Sequence, residues 1–280
     1  MRTIKQVLFP VMVLWLLLLA ATVSGQSERK LAKMFVAKAH SGALAIEVSP
    51  PAFLYKYNRK TGILDTIPFT TAREKDSILW VHSDFIRRID DSVFIARFMQ
   101  GYRKELKKYG FLLINSPGDS AVYRVHVAQI ELEEQYYLYS DTAYADNDVY
   151  VHRQFLNALD VSSWFLMQGP LIQKKKGKVL FAENLLTDNI DGHFTVDPYS
   201  GEIKYLYTID SLTVKKIYGY AQNLGRTYAG YTFDYLMNTF LTQQLPAARR
   251  TDRYWRYDPY RKKFFFAYTD RFVPLDDAKK

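Results

Sequence analysis

The sequence predicts an α+β fold: an antiparallel sheet of about four to six strands covered on one face by two main helices. Three observations predict it. Residues 91–110 carry an apolar stripe at helical spacing, three β-rich segments follow between Val122 and Leu186, and the segment Ser211–Leu245, poor in charge from Ile217 on, reads as a long helix or two stacked helices. The core order is therefore β-α-β-β-β-α, and two helices on one sheet face make a two-layer domain.

The N-terminus comes first. Arg2 and Lys5 precede an apolar stretch from Val7 to Val23, broken only by Pro10 and Thr22. Val23-Ser24-Gly25 then stands before Gln26. A positive start, an apolar middle and small residues before a cut site are the order of a secretory signal peptide over residues 1–25. An uncleaved membrane anchor is the alternative, because about 17 residues is the lower limit for spanning a bilayer. Residues 26–42 are basic and lightly apolar, with Leu31, Met34, Phe35 and Lys38 at helical spacing. They read as a basic tether or a short, frayed first helix.

The α+β domain is expected over residues 43–246. Leu44–Val48 alternates and meets Pro50-Pro51, which ends a first strand. Between residues 52 and 90, Tyr55–Asn58 and Ile78–Val81 look extended, and no firm element is placed there. Asp91 or Ser92 caps the first main helix, whose stripe is Phe94, Phe98, Tyr102, Leu106 and Tyr109; Gly110 stops it. Val122–Tyr139 is a long strand whose apolar parity changes after Val127, which predicts a bulge near Ala128. Asn157–Gln168 and Lys178–Leu186 are further strands, the second after a Lys174-Lys175-Lys176-Gly177 turn. A hairpin around Asp197–Gly201 joins His193–Val196 to Glu202–Tyr207. From Ile217 to Leu245 the only charges are Arg226 and Asp234, while Ala221, Gly225, Ala229 and Phe233 form a row four residues apart. Such a row lets a backbone approach its neighbour closely, here expected to be the sheet. A helix so poor in charge is covered on more than one side.

Residues 247–280 form a basic-aromatic extension, with ten Lys or Arg against five Asp. Its candidate binding surface is Arg249, Arg250, Arg253, Tyr254, Trp255, Arg256, Tyr260 and Arg261. Arginine forks onto phosphate or carboxylate groups, and Tyr and Trp supply rigid contact area.

The chemistry-bearing motifs are few. His40, His82, His126, His152 and His193 show no metal-ligand spacing, and the chain has no cysteine. Asp141, Asp146 and Asp148, and Asp188 and Asp191 with Gly192, read as solvated turns rather than calcium loops. The Ser-x-x-Lys string Ser27–Lys30 lies at a terminus too frayed to position a nucleophile. Glu131, Glu133 and Glu134 lie on one strand, where Glu131 and Glu133 share a face by period two and read as an exposed strand face. No Gly-rich phosphate loop or Gly-x-Ser-x-Gly elbow occurs. No catalytic, cofactor or metal site is expected; an enzyme with a site assembled from scattered residues is the alternative.

Leu44–Val48, Ser92–Gly110 running into Phe111–Ile114, the Val122–Tyr139 strand and the helix around Tyr220–Leu241 together carry a resemblance. In that order the chain resembles envelope accessory proteins of the lipopolysaccharide-assembly lipoprotein type, and auxiliary lipoproteins of ABC-type lipid transport. Without a cysteine it has no residue to carry their lipid. The resemblance implies a non-catalytic accessory module of a Gram-negative envelope, in the periplasm or at the outer membrane. The net charge of +9 and aromatic content of 16% point, after export, to an envelope protein or an anionic component as partner: a lipid head group, lipopolysaccharide or glycan. Peripheral membrane association fits this, and nucleic acid does not.

Overall fold

A computed structural model describes residues 28–115, 123–145, 148–172 and 177–275. The expected signal peptide (1–25), Ser27, Asp146 and the expected Lys174–Lys176 turn lie outside these residues. In chain order the elements are helix α1 (28–40), β1 (Ala45–Ser49), β2 (Tyr55–Asn58), α2 (Ala72–Val81), α3 (Asp91–Lys108) and β3 (Leu112–Ile114). They continue with β4 (Tyr123–Ala145), β5 (Asp148–Gln168), β6 (Lys178–Thr187), β7 (Asn189–Val196), β8 (Ile203–Asp210) and α4 (Val214–Gln244). The tail adds β9 (Tyr254–Asp258), β10 (Lys263–Ala267) and β11 (Val273–Leu275).

The fold is α+β, and its main sheet runs β11-β6-β5-β4-β1-β3, with β2 also on β4. The sheet is mixed rather than antiparallel throughout. β4, β5, β6 and β11 alternate in direction, but β1 lies parallel to both β3 and β4, and β2 parallel to β4. The reason is the helical crossover: α3 carries the chain from one end of the sheet back to the other, so β3 starts where β1 started. β1 and β2 occupy one edge of β4 in succession, and Pro50-Pro51 interrupts them near the point where β4 bulges. That bulge falls between Val127 and Gln129, where the parity change puts it.

α1, α3 and α4 cover one face. Phe165 of β5 meets Tyr228 of α4 at 5.2 Å between ring centres and Tyr102 of α3 at 6.3 Å. α1 is no tether: Ala32, Phe35 and Ala39 are buried, and Phe35 packs on Phe233 and Phe240 of α4. Its basic residues fall on the outer side, so the segment is polar in composition yet buries a full stripe. The small row of α4 packs on α3, not on the sheet. A Cβ on Gly225 would stand 2.1 Å from the Phe98 carbonyl oxygen, and one on Gly101 would stand 2.0 Å from that of Gln222. Two glycines thus let the helix backbones touch, with Ala221 and Ala229 buried to either side. The Tyr102 and Thr232 hydroxyls meet at 2.5 Å in the same interface.

Local signals explain the remaining differences. Asp90 caps α3 by accepting from Val93 N at 3.2 Å. Asp91 instead binds Lys56 Nζ at 2.7 Å and Leu54 N at 3.1 Å, tying β2 to the helix. Ile78–Val81 is not extended but the last turn of α2, because a Thr71–Glu74 capping box starts the helix and outweighs the β preference of its end. Beyond the end of β6, the β4–β5 pair continues as a ribbon. The β7–β8 hairpin packs against it: His152 stacks on Tyr205 at 4.0 Å, and Tyr205 Oη donates to Asp141 at 3.1 Å. Asp188 is no solvated turn either; it is buried and accepts from Asn157 N at 2.8 Å and Leu212 N at 2.5 Å.

Candidate functional site

The extension folds as the β9–β10 hairpin, and α4 clamps one edge of it. Asn238 accepts from Trp255 N and donates to Trp255 O, both at 2.8 Å, while Asp234 accepts from Tyr257 N at 3.1 Å. Side chains one helical turn apart therefore satisfy alternate backbone groups of β9, as a neighbouring strand would. A second clamp comes from the other end of the chain. Glu28 accepts from Thr251 N at 2.9 Å, from Thr251 Oγ1 at 2.8 and 2.9 Å, and from Trp255 Nε1 at 3.0 Å. Trp255 and Tyr257 face inward and are buried.

The candidate residues divide accordingly. Arg249, Arg250, Arg253, Tyr254, Tyr260 and Arg261 are exposed. Trp255, read as part of the surface, is a core anchor; strand alternation puts it opposite Tyr254. Arg256 is half-buried and donates to the Thr269 carbonyl at 3.1 Å. Tyr260 is held on α3 by Glu105 at 3.0 Å and lies under Lys108, whose ammonium is 4.3 Å from the ring centre. Of the helix face, Ala221, Gly225, Ala229 and Phe233 are all buried, so none is open to a partner.

Two depressions flank the exposed cations, of about 790 and 360 Å³, and both are bordered by Asn238, Thr242, Arg250 and Tyr254. Arg250 Nε donates to Leu245 O at 3.0 Å. The Arg253 guanidinium lies 4.5 Å from the Phe266 ring centre, a cation–π contact that holds it over the hairpin. The result is a shallow surface of positioned cations and aromatic faces on a rigid support.

Sequence reasoning missed buried charge at several positions, Glu134 and Asp234 among them. Glu134 is 0% exposed and follows Ile130 and Leu132 on the inward parity of β4, a signal present in the pattern. Asp234 is buried beneath the hairpin, and desolvation pushes its pKa up to about 7 although Arg271 opposes the shift. On the open sheet face Asp160 is also raised, by burial and by the neighbouring Glu183 carboxyl. Among the described residues no helix is long and apolar enough to cross a membrane, and no cluster of His, Asp or Glu could hold a metal ion. No protein-family model matches the sequence, and no curated protein matches it.

Proposed function

We propose that the protein is an exported, non-catalytic accessory module of a bacterial cell envelope that binds anionic head groups through its C-terminal hairpin. The observation that carries this reading is the double clamp on β9. It sets Arg249, Arg250 and Arg253 with Tyr254 at fixed positions rather than on a free tail. Held cations lose less conformational freedom on binding than loose ones. The signal-peptide pattern of residues 1–25 supports export, and N-terminal sequencing of envelope protein is expected to start at or next to Gln26.

The test is co-sedimentation with phosphatidylcholine vesicles containing phosphatidylglycerol, over a salt series. The full chain is expected to sediment at low salt and to be released as salt rises, since exposed charges are screened. Replacing Arg249, Arg250 and Arg253 by Gln is expected to abolish sedimentation with little change in Tm. A triple variant that sediments like the parent at every salt concentration refutes the reading.

A further inference from the structure

The two charges that interrupt the apolar run of α4 stand in one helical row. Arg226, Gly230 and Asp234 recur every four residues, beside the small row that meets α3. Arg226 and Gly230 border an open polar depression of about 520 Å³, lined also by Tyr109 at the end of α3, Arg256 of β9 and Arg271 of the loop after β10. Three guanidinium groups from distant parts of the chain therefore line one space. Its lining shares no residue with the depressions beside Arg250 and Tyr254.

These cations are poorly neutralised. Arg271 Nη1 lies 3.3 Å from Asp234 Oδ2, and its guanidinium lies 5.0 Å from the Tyr231 ring centre. Arg256 donates to a backbone carbonyl. Arg226 Nη1 reaches only Asn223 Oδ1, at 3.3 Å, and its Nε is out of solvent without a hydrogen-bond partner. Among the described residues, neither Arg226 nor Arg256 has a carboxylate within ion-pairing distance. Asp234 and Asp270 both act on Arg256 and Arg271, which leaves two carboxylates for three arginines. Half-buried cations short of carboxylate partners gain from a bound anion.

We propose that Arg226, Arg256 and Arg271 form a binding site for a phosphate group. A guanidinium pairs two N–H donors with two oxygens, and three such groups from different directions suit a tetrahedron of oxygens. A planar carboxylate offers only two. Tyr109 and Thr227 bring hydroxyl donors to the same lining. Gly230 leaves them room: a Cβ there would stand 2.9 Å from Tyr109 Oη and 3.7 Å from Arg271 Nη1. The site goes beyond the surface proposed above and shares only Arg256 with the residues singled out for it, so either can fail alone.

The test is calorimetric titration of the full chain with inorganic phosphate, with acetate as control. Saturable phosphate binding is expected, at least tenfold tighter than acetate. Arg226→Gln is the first variant, because Arg226 pairs with no carboxylate among the described residues; it is expected to weaken phosphate binding at least tenfold at an unchanged Tm. Gly230→Ala, which narrows the depression without removing a charge, is expected to weaken it as well. The Arg249, Arg250, Arg253 triple variant is expected to bind phosphate like the parent, which separates this site from the hairpin surface. Competition by glycerol 1-phosphate identifies a soluble phosphate ester as ligand; competition by short-chain phosphatidylglycerol alone identifies a lipid head group. Absence of saturable phosphate binding, or equal binding by the parent and Arg226→Gln, overturns the proposal.

Discussion

Glu134 Oε1 lies 2.9 Å from Lys60 Nζ, and neither side chain is more than 5% exposed. The pair joins β4 to the segment after β2. Glu134 also accepts from three successive backbone amides, Asp84 N at 2.7 Å, Phe85 N at 3.1 Å and Ile86 N at 3.0 Å, and so caps the turn that leads to α3. Lys60 is bound in addition by Asp84 and by Asn157 Oδ1 at 2.7 Å. Burial alone would lower the Lys60 pKa, but the hydrogen bonds to Asp84 and Glu134 more than offset it and hold the ammonium above its usual range. Every partner of this buried pair is therefore supplied by protein.

Glu134→Ala is expected to cost about 3–5 kcal/mol, because it leaves a buried ammonium and three amides short of an acceptor. Replacing Lys60 by Met in the same chain should recover part of that loss. Urea unfolding of the single and double variants measures both. A loss under about 1 kcal/mol for Glu134→Ala would show that the pair is open to water.

Gly225→Ala is expected to destabilise the protein by about 1–3 kcal/mol or more, since the added methyl runs into the Phe98 carbonyl of α3. Gly219 supplies the control. It lies on the same helix with nothing within 4 Å of an added Cβ, so Gly219→Ala should raise stability by about 0.5–1 kcal/mol through helix propensity alone. Thermal unfolding of the two variants must shift in opposite directions for the helix contact to stand.

Glu28→Ala is expected to cost about 2–3 kcal/mol and to loosen the hairpin, because the Thr251 amide and Trp255 indole lose their acceptor together. Limited proteolysis near Arg249–Arg253 should accelerate in the variant. Cleavage at the parental rate would mean that α4 alone holds β9.

Stability is expected to fall as pH rises from about 4 to about 7. Asp234 ionises near 7 when folded but near 3.8 in its unperturbed state, so the folded chain keeps a proton that the unfolded chain has lost. The contribution is fully present below the lower value and gone above the higher one. Asp160 and Asp270 are raised too and act in the same sense. Asp234→Asn should reduce the pH dependence of the unfolding free energy in this window, by no more than about 4 kcal/mol. An unchanged slope would place the titration elsewhere.

Period and punctuation made much of this fold readable. The stripe from Phe94 to Tyr109 gives α3, the charge-poor run gives α4, and the parity change after Val127 locates the bulge of β4. What local pattern does not encode is which surface meets which. The row at Ala221, Gly225 and Ala229 announces a close approach, but only the matching Gly101 shows that the neighbour is α3. Parallel pairing of β1 and β2 on β4 depends on where the crossover returns the chain, which no single segment records. The candidate surface was legible in composition and only partly in detail. Strand alternation sorts Tyr254 from Trp255 once β9 is known, whereas the meeting of Arg226 with Arg256 and Arg271 is a product of tertiary packing.

The Glu28 clamp also bears on when the fold can close. The donors to Glu28 lie 223 and 227 residues further along the chain, so α1 cannot complete its contacts until Thr251 and Trp255 have left the ribosome. Until β9 arrives, the edge of α4 that carries Asp234 and Asn238 has no strand to bind. A nascent chain must therefore stay incomplete until β9 has been made. Pairing of such long range is slow to form, so this edge of the fold closes late.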